Sequence, residues 1–362
     1  MRFFVKRLSR YALTVYAFTK TIRMTYKVET RDRKILHMAL LNANATAESI
    51  GGPIGEQGYQ VRRALSGMQK EGIISPYTLI NQFALGWMKI GVFFSFLPVE
   101  GQNIPEIIQK LQDYPNIVSA IELFGPYQYF MSVNAKSVPD FEEFMATLYD
   151  DIPDLKIDEA VSIRRRLSLF KRKYLAPDLG NKTHLTYSYT GNAEKLDDLS
   201  ISVLNYMITA GGLPNGPAIA EAVGVSNTTV HNKIADLEKR GVIVGYSYSI
   251  DPYKIGYSSF DLLIKTSSRS TSLKDTFFGY CASHENVVGL TECTGAWQYE
   301  VRIEVPSITD ATRISQEMLL DFSHSIHKID IVNVNKELKY MRTPLIETGS
   351  PENPSPQKKN AA

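Results

Sequence analysis

Apolar residues recur at helical spacing in three consecutive segments of the second half of the chain. Residues 196–208 start with acidic side chains and place their apolar side chains on one face, which predicts a first helix. Residues 217–223 predict a short second helix, because proline suits a first helical turn. Ser226 is a favourable N-cap for a third helix that runs to about Arg240 and ends at Gly241. The pattern therefore predicts a helix-turn-helix.

The third helix of this motif has a polar face that suits the major groove of DNA. Its apolar residues recur at spacings of four and three, so hydroxyl and amide side chains face outward, where they can bond base edges. The residues expected to read bases are Asn227, Thr228, His231 and Asn232. The full set of DNA-binding candidates on this helix is Ser226, Asn227, Thr228, Thr229, His231, Asn232, Lys233, Lys239 and Arg240, the last two for phosphates. An ordinary solvated helix face is the alternative.

The segment after the third helix is expected to complete a winged helix. Residues 242–250 alternate in polarity like two short strands hinged near Gly245. This is the position at which a wing follows a recognition helix, and it favours DNA binding over a merely solvated helix.

The chain repeats itself at a spacing of about 170 residues. GPYQY at residues 125–129 aligns with GAWQY at 295–299, and the third helices also align. We therefore predict two tandem copies, about residues 29–175 and 195–342. The third helix of the first copy is more basic and is expected to add affinity more than sequence choice, with a purely structural first copy as the alternative. Its outward residues are Tyr59, Arg62, Arg63, Ser66 and Lys70.

The second part of each copy predicts the order strand, helix, strand, strand, helix, strand, with final strands at residues 157–164 and 329–335. This is the ferredoxin-like order, in which helices cover one sheet face and the other is free for a partner sheet. The predicted fold class is α+β, with two tandem copies of a winged helix-turn-helix followed by a ferredoxin-like sensor domain. The predicted organisation is an N-terminal extension at 1–28, winged helices at 29–80 and 195–250, sensor domains at 81–175 and 251–342, a linker at 176–194 and a disordered tail at 343–362.

These features resemble the Lrp/AsnC (feast/famine) family of bacterial and archaeal transcription regulators. The run TVHNKIADLEKRGVIVGYSYSIDPYKIGY at residues 229–257 carries the resemblance, together with the Thr294-Gly295 turn. The resemblance implies a winged helix that binds double-stranded DNA, and a sensor (RAM) domain that pairs with another copy. It also implies a small-molecule effector, such as an amino acid, and homo-oligomers. It covers nearly all of the second copy and, more weakly, the first.

The effector site implied by the resemblance lies at the glycine turn of each sheet domain. The candidates, chosen by position, are Gly125, Tyr127, Gln128, Gly295, Trp297 and Gln298. The family usually has one unit per chain and an acidic residue shortly after the turn glycine, where this chain has Gln128 and Gln298. Glutamine offers no carboxylate to an ammonium group, so a sheet turn with packed aromatic side chains is the alternative.

Composition narrows the class of protein without selecting one. The chain has 362 residues, 40 of them basic and 38 acidic, so DNA contacts must come from local patches. Two cysteines cannot build a disulfide framework, which fits a reducing, cytoplasmic location. Residues 1–23 are basic and apolar, but their uncharged run at 11–19 is too short to span a bilayer. A terminal helix, a secretory signal and a later start at Met24 stay open as interpretations.

Other side-chain pairs predict no catalytic or metal site. His324 and His327 stand three apart but lack a third ligand, and Cys281 near His284 lacks an orienting group. We predict a regulator that is not an enzyme and uses no cofactor or metal, with its two copies paired as a pseudo-dimer. The alternatives are a siroheme decarboxylase-like enzyme of the same fold and an effector-binding protein without DNA binding.

Overall fold

The computed structural model describes residues 28–180, 183–268, 270–340, 343 and 345–346. Its first helical unit consists of helices α1 (Thr30–Ala39), α2 (Ala47–Gly51) and α3 (Gly58–Lys70), followed by strand β1 (Ile74–Ile80). Buried residues recur in α3 at three- and four-residue spacing, because Val61, Ala64 and Met68 face the core. The opposite face of α3 is left in solvent.

A first sheet unit follows, with helices on one face of its strands. It comprises β2 (Met88–Phe96), α4 (Ile104–Asp113), β3 (Ile117–Phe124), β4 (Tyr129–Ala135), α5 (Val138–Asp151) and β5 (Ile157–Phe170). The strands lie in the order β5, β2, β4, β3 across the sheet. Alternate residues of β2, among them Ile90 and Val92, pack beneath the helices against Ile107 and Leu148.

The connection between the two halves contains a strand that the sequence does not predict. Strand β6 (His184–Ser188) lies within residues 176–194 and pairs with the end of β5, from Arg166 to Phe170. The segment predicted as a linker therefore contributes an edge strand to the sheet. A five-residue strand held by backbone bonds to one neighbour needs no strong apolar alternation of its own.

The second half of the chain has the same order of elements. Its helical unit contains α6 (Asp198–Ala210), α7 (Gly216–Val223), α8 (Asn227–Lys239) and β7 (Ile243–Ile250). Its sheet unit contains β8 (Ser258–Thr266), α9 (Thr271–Ser283), β9 (Val287–Gly295), β10 (Tyr299–Val305), α10 (Ile308–Asp321) and β11 (Ile326–Tyr340). The predicted helix-turn-helix between residues 196 and 240 is confirmed, with Ser226 as the N-cap of α8.

The two sheet units join into one sheet that closes on itself. Strand β11 pairs first with β8 and then with β3 of the first unit, where Asn333 lies opposite Phe124. Strand β5 pairs first with β2 and then with β9 of the second unit, where Ser162 lies opposite Gly295. The predicted ends of these strands, at residues 164 and 335, are therefore too early. Each strand continues because the other unit supplies its next backbone partner.

Strands β1 and β7 join the two helical units directly. They form an antiparallel pair that begins with Ile74 opposite Ile250. The prediction that residues 242–250 form a two-stranded wing hinged near Gly245 is wrong, because this segment is one strand paired across the units. Gly245 lies beside an irregularity of that pairing, so the glycine marks a bulge and not a turn.

One apolar core is shared by the two helical units. It includes Leu36 and Val61 from the first unit and Val203 and Leu237 from the second. A second cluster lies inside the closed sheet and also takes residues from both sheet units. The two halves of the chain therefore bury apolar surface against each other at both levels of the molecule.

The start of the predicted disordered tail is packed against the second helical unit. Thr343 is buried, and the Asn205 side chain forms hydrogen bonds of 2.8 Å with both the amide and the carbonyl of Ile346. The prediction of disorder from Thr343 is wrong for these residues, because the Asn205 side chain bonds both backbone groups of Ile346. Residues 1–27 and 347–362 lie outside the described residues. Among the described residues, no helix combines the length and apolarity needed to cross a membrane.

Candidate functional site

Helix α8 carries the residues that the sequence predicts to read DNA bases. Ser226 caps its first turn, with its Oγ accepting a hydrogen bond of 3.1 Å from the Thr229 amide. The buried face consists of Val230, Ile234 and Leu237. The exposed residues include Asn227, Thr228, His231, Asn232 and Lys239. The helix therefore presents a polar surface of amide, hydroxyl and imidazole groups to solvent.

The first turn of α8 lies against the start of α7. A Cβ on Gly216 would lie 2.4 Å from Asn227 Oδ1, so a side chain at this position would require the Asn227 side chain to move. Asn215 caps α7, with its side chain accepting from the Ala218 amide at 3.4 Å. The starts of α7 and α8 are therefore in close contact.

Two of the predicted DNA-binding cations form ion pairs with carboxylates of the same half of the chain. Lys233 forms an ion pair with Asp197, the N-cap of α6, and this contact lowers the pKa of Asp197. Arg240 donates to Glu194 Oε2 at 2.9 Å. Both side chains therefore hold α8 to the segment around the start of α6. Lys239 is exposed and forms no ion pair within the part of the chain that the structure describes.

Helix α3 of the first helical unit offers a more basic surface. The predicted contact residues are all exposed, namely Tyr59, Arg62, Arg63, Ser66 and Lys70. Arg62 pairs with Glu48 of α2 at 2.8 Å, in an exposed position where water and salt weaken the pair. Arg63 and Lys70 make no ion pair with any residue that the structure describes. This helix therefore presents free positive charge beside a large aromatic ring.

The glycine turns of the two sheet units are shaped by the crossing strands. A Cβ on Gly125 would lie 2.8 Å from the Ile331 oxygen of β11. A Cβ on Gly295 would lie 2.4 Å from the Val161 oxygen of β5. The φ angles of 144° and 128° at the two glycines also favour glycine. Close approach of the other unit therefore accounts for both residues.

The turn glutamines, Gln128 and Gln298, bind the ends of neighbouring strands. Gln128 Oε1 accepts a hydrogen bond of 3.1 Å from the Phe96 amide. Gln298 Oε1 accepts one of 2.9 Å from the Thr266 amide. The side-chain oxygens at these positions therefore accept hydrogen bonds from backbone amides at strand ends.

Aromatic side chains after the turn glycines pack inside the closed sheet. The rings of Phe93 and Trp297 lie 4.9 Å apart, and that of Tyr127 lies 6.1 Å from Trp297. Trp297 is buried and donates from Nε1 to Glu300 Oε1 at 3.1 Å. Trp297 and Tyr127 therefore join the two units.

A cavity of about 80 Å³ lies beside the second glycine turn. Its lining includes Arg165, Thr266, Lys274, Thr294, Gln298 and Tyr299. Arg165 belongs to β5 of the first unit, so the cavity is formed where the two units meet. Of these residues, the sequence predicts only Gln298, because local pattern does not show that β5 crosses to the second unit.

Two sequence models of known domains match the chain in separate places. The model described as the Lrp/AsnC ligand binding domain matches residues 92–157, within the first sheet unit. The model described as winged helix-turn-helix DNA-binding matches residues 196–244, the second helical unit. The first sheet unit is thus similar to the Lrp/AsnC ligand binding domain, and the second helical unit to a winged helix-turn-helix.

Curated transcriptional regulators align with part of the chain. An uncharacterised HTH-type transcriptional regulator of Pyrococcus furiosus is 27% identical over 129 residues, which cover 35% of this chain and 86% of that protein. The DNA-binding transcriptional activator DecR of Escherichia coli is 30% identical over 89 residues, which cover 24% of this chain and 59% of that protein. These alignments show that single regions of the chain are similar to transcriptional regulators.

A solved structure is similar to the chain over most of its length. The crystal structure of the siroheme decarboxylase NirDL covers 88% of this chain and 94% of its own, with a TM-score of 0.57 and 12% sequence identity. At this identity the similarity concerns the fold alone.

Proposed function

We propose that this protein is a sequence-specific DNA-binding transcription regulator of the Lrp/AsnC type. The observation that carries the proposal is the exposed face of α8, which lies in the segment matched by the winged helix-turn-helix model. Amide, hydroxyl and imidazole groups on such a face can bond base edges in the major groove. Thr228, His231 and Asn232 are the proposed base contacts, and Lys239 is the proposed phosphate contact.

The two helical units are proposed to act as an unequal pair on one stretch of DNA. The shared core and the pairing of β1 with β7 support a fixed relative position of α3 and α8. Arg63 and Lys70 on α3 suit phosphates, which position a protein without selecting a sequence. Such a pair favours a site that is not a strict palindrome. Tandem duplication of one winged-helix and ferredoxin-like unit would account for the common order of elements.

Selection of bound fragments from random duplex DNA, at a stated salt concentration, tests this function. We expect an enriched sequence and loss of preference at one base position in Asn232→Ala. The control is Gln316→Ala, which removes another exposed amide from α10 and should leave binding unchanged. If the unaltered protein enriches no sequence, the proposal is wrong.

A small-molecule effector is proposed to bind in the cavity beside the second glycine turn. Arg165 and Lys274 place two cationic side chains on its lining, which favours a ligand with a carboxylate, such as an amino acid. Thermal stability should rise with an amino-acid mixture in the unaltered protein and in the surface control Lys110→Ala. The rise should be smaller in Lys274→Ala. Equal rises in all three proteins would contradict this site.

A siroheme decarboxylase-like activity is the second candidate, because the NirDL fold covers 88% of this chain. Absorbance titration of the purified protein with siroheme tests it. A saturable change in the tetrapyrrole spectrum, followed by loss of carboxyl groups, would favour the enzyme over the regulator. An unchanged spectrum would favour the regulator.

A further inference from the structure

The inner face of the closed sheet differs between the two units at two neighbouring rows of residues. The rows pair Lys89 with Asn134 and Gly91 with Ser132 in the first unit, and Ser259 with Glu304 and Asp261 with Arg302 in the second. The next inward residues along β2 and β8 are Phe93 and Leu263, which belong to the cluster inside the sheet. Because alternate residues share a face, the four rows also point inward.

In the second unit, the charged groups of these rows are satisfied. Arg302 forms a two-pronged ion pair with Asp261, at 2.8 and 2.7 Å. Glu304 accepts two bonds of 2.7 Å from Arg172 and one of 2.5 Å from the Tyr174 hydroxyl. Buried charges are normally paired in this way.

In the first unit, the corresponding rows hold polar atoms without partners. Ser132 and Asn134 are only 3% and 1% exposed. Ser132 Oγ and Asn134 Oδ1 make no hydrogen bond among the described residues, and the same holds for the buried Nε of Arg164. Such atoms are uncommon in a folded protein, and a bound molecule is one reason for them.

Arg164 already has a counterion, and its side chain occupies the space above Gly91 together with Ser162 and Phe130. Its Nη2 donates to Glu300 at 2.6 Å, and its Nε lies 3.3 Å from where a Cβ on Gly91 would be. Glu300 also accepts from Ser162 Oγ at 2.7 Å. The charge of Arg164 is therefore neutralised, while its Nε hydrogen remains available as a donor.

Lys89 supplies a positive charge without a counterion. It lies opposite Arg164 in the pairing of β2 with β5, and it forms no ion pair within the described part of the chain. Burial, followed by the charge of Arg164, lowers the pKa of Lys89 to about 7. As a whole residue, Lys89 is half-buried.

We propose that Lys89, Ser132, Asn134 and Arg164 bind a small carboxylate that carries a hydroxyl or ammonium group next to its carboxyl. The carboxylate accepts from the Lys89 ammonium, the Ser132 hydroxyl and Arg164 Nε. The neighbouring group of the ligand donates to Asn134 Oδ1. This site lies on the inner face of the first sheet unit, and it does not depend on the proposed DNA function.

Calorimetric titration of the full chain with L-lactate and with propionate tests the site at pH 6. Lactate has the neighbouring hydroxyl and propionate lacks it, so lactate should bind more tightly. Lys89→Met should weaken lactate binding about tenfold or more, because it removes a charge-assisted hydrogen bond. The control Lys265→Met removes a lysine from β8 of the second unit and should bind as the unaltered protein does.

A second variant keeps the test independent of folding. If circular dichroism shows that Lys89→Met does not fold, Ser132→Ala takes its place and should also weaken lactate binding. Absence of lactate binding to the unaltered protein, or equal binding in Lys89→Met or its substitute, would overturn the proposal.

The pH dependence of lactate binding provides a further readout. The charged group that faces Lys89 is Arg164, whose own counterion is Glu300, and a bound carboxylate favours the protonated lysine. Affinity should therefore fall as the pH rises from 6 to 9 in the unaltered protein. An affinity that does not change over this range would also overturn the proposal.

Discussion

The inner rows of the second sheet unit hold closed ion pairs, whereas those of the first hold small or neutral residues beside one unpaired lysine. Asp261 and Arg302 occupy the positions at which the first unit has Gly91 and Ser132. The helical units differ in a similar way, since α8 presents amides and hydroxyls and α3 presents cations. The comparison shows that a common backbone plan supports two different surface chemistries and two different interiors.

The largest expected contrast lies in the buried charges. Glu304→Gln should lower the free energy of unfolding by about 3 to 5 kcal/mol, because it leaves the Arg172 guanidinium buried without its anion. Asn134 occupies the equivalent position in the first unit. Asn134→Ala should lower the free energy of unfolding by only about 1 kcal/mol, because one polar atom of Asn134 is already unpartnered. Urea unfolding at pH 7 measures both. Equal losses would show that the two interiors are energetically alike.

The next contrast concerns base contacts. Asn232→Ala should weaken binding to the selected DNA by about 1 to 3 kcal/mol and relax the preference at one base pair. Binding to unrelated duplex should change little. Fluorescence anisotropy with both duplexes measures the difference. An equal loss of affinity for both duplexes would indicate that Asn232 contacts the DNA backbone and not a base.

A smaller effect is expected from the pH dependence of Lys89. Because burial lowers its folded-state pKa to about 7, protonated Lys89 destabilises the fold at low pH. Stability should rise as the pH increases from 7 towards the ordinary lysine pKa, where the unfolded chain still binds the proton. Lys89→Met should therefore be more stable than the unaltered protein at pH 6, by about 1 to 2 kcal/mol. If the urea midpoints of Lys89→Met and the unaltered protein differ by the same amount at pH 6 and pH 9, the lowered pKa of Lys89 is contradicted.

The smallest effect is expected from one phosphate contact on α3. Lys70→Gln should weaken binding to selected and unrelated duplexes alike, and it should lower the slope of log affinity against log salt by about 1. Titrations at several salt concentrations measure this slope. Loss of preference at a single base pair would instead make α3 a reader of sequence.

Local signals in the sequence are sufficient to predict where the helices begin and end. Ser226 and Gly241 bound the predicted third helix, and the structure places α8 between them, because capping depends on neighbouring residues alone. The outward face of α8 follows from the same periodicity. The helices of each unit are therefore visible in short windows of the chain.

Contacts between the two halves are not visible in such windows. The second parts of β5 and β11, the pairing of β1 with β7, and the position of Arg165 beside the cavity all depend on residues far away in the chain. The single strand around Gly245 resembles a hairpin in sequence, because a bulge and a turn both use glycine. The candidate DNA surface was therefore predictable, whereas the cavity and the unpaired inner row were not.

The central claim is that α8 selects the sequence while α3 supplies affinity. Hydroxyl-radical footprinting of the unaltered protein on its selected DNA, combined with substitution of each base pair, tests it most directly. The account predicts that both helical units protect the backbone, but that base substitutions reduce affinity mainly in the half bound by α8. A strict inverted repeat, with equal losses in both halves, would contradict it.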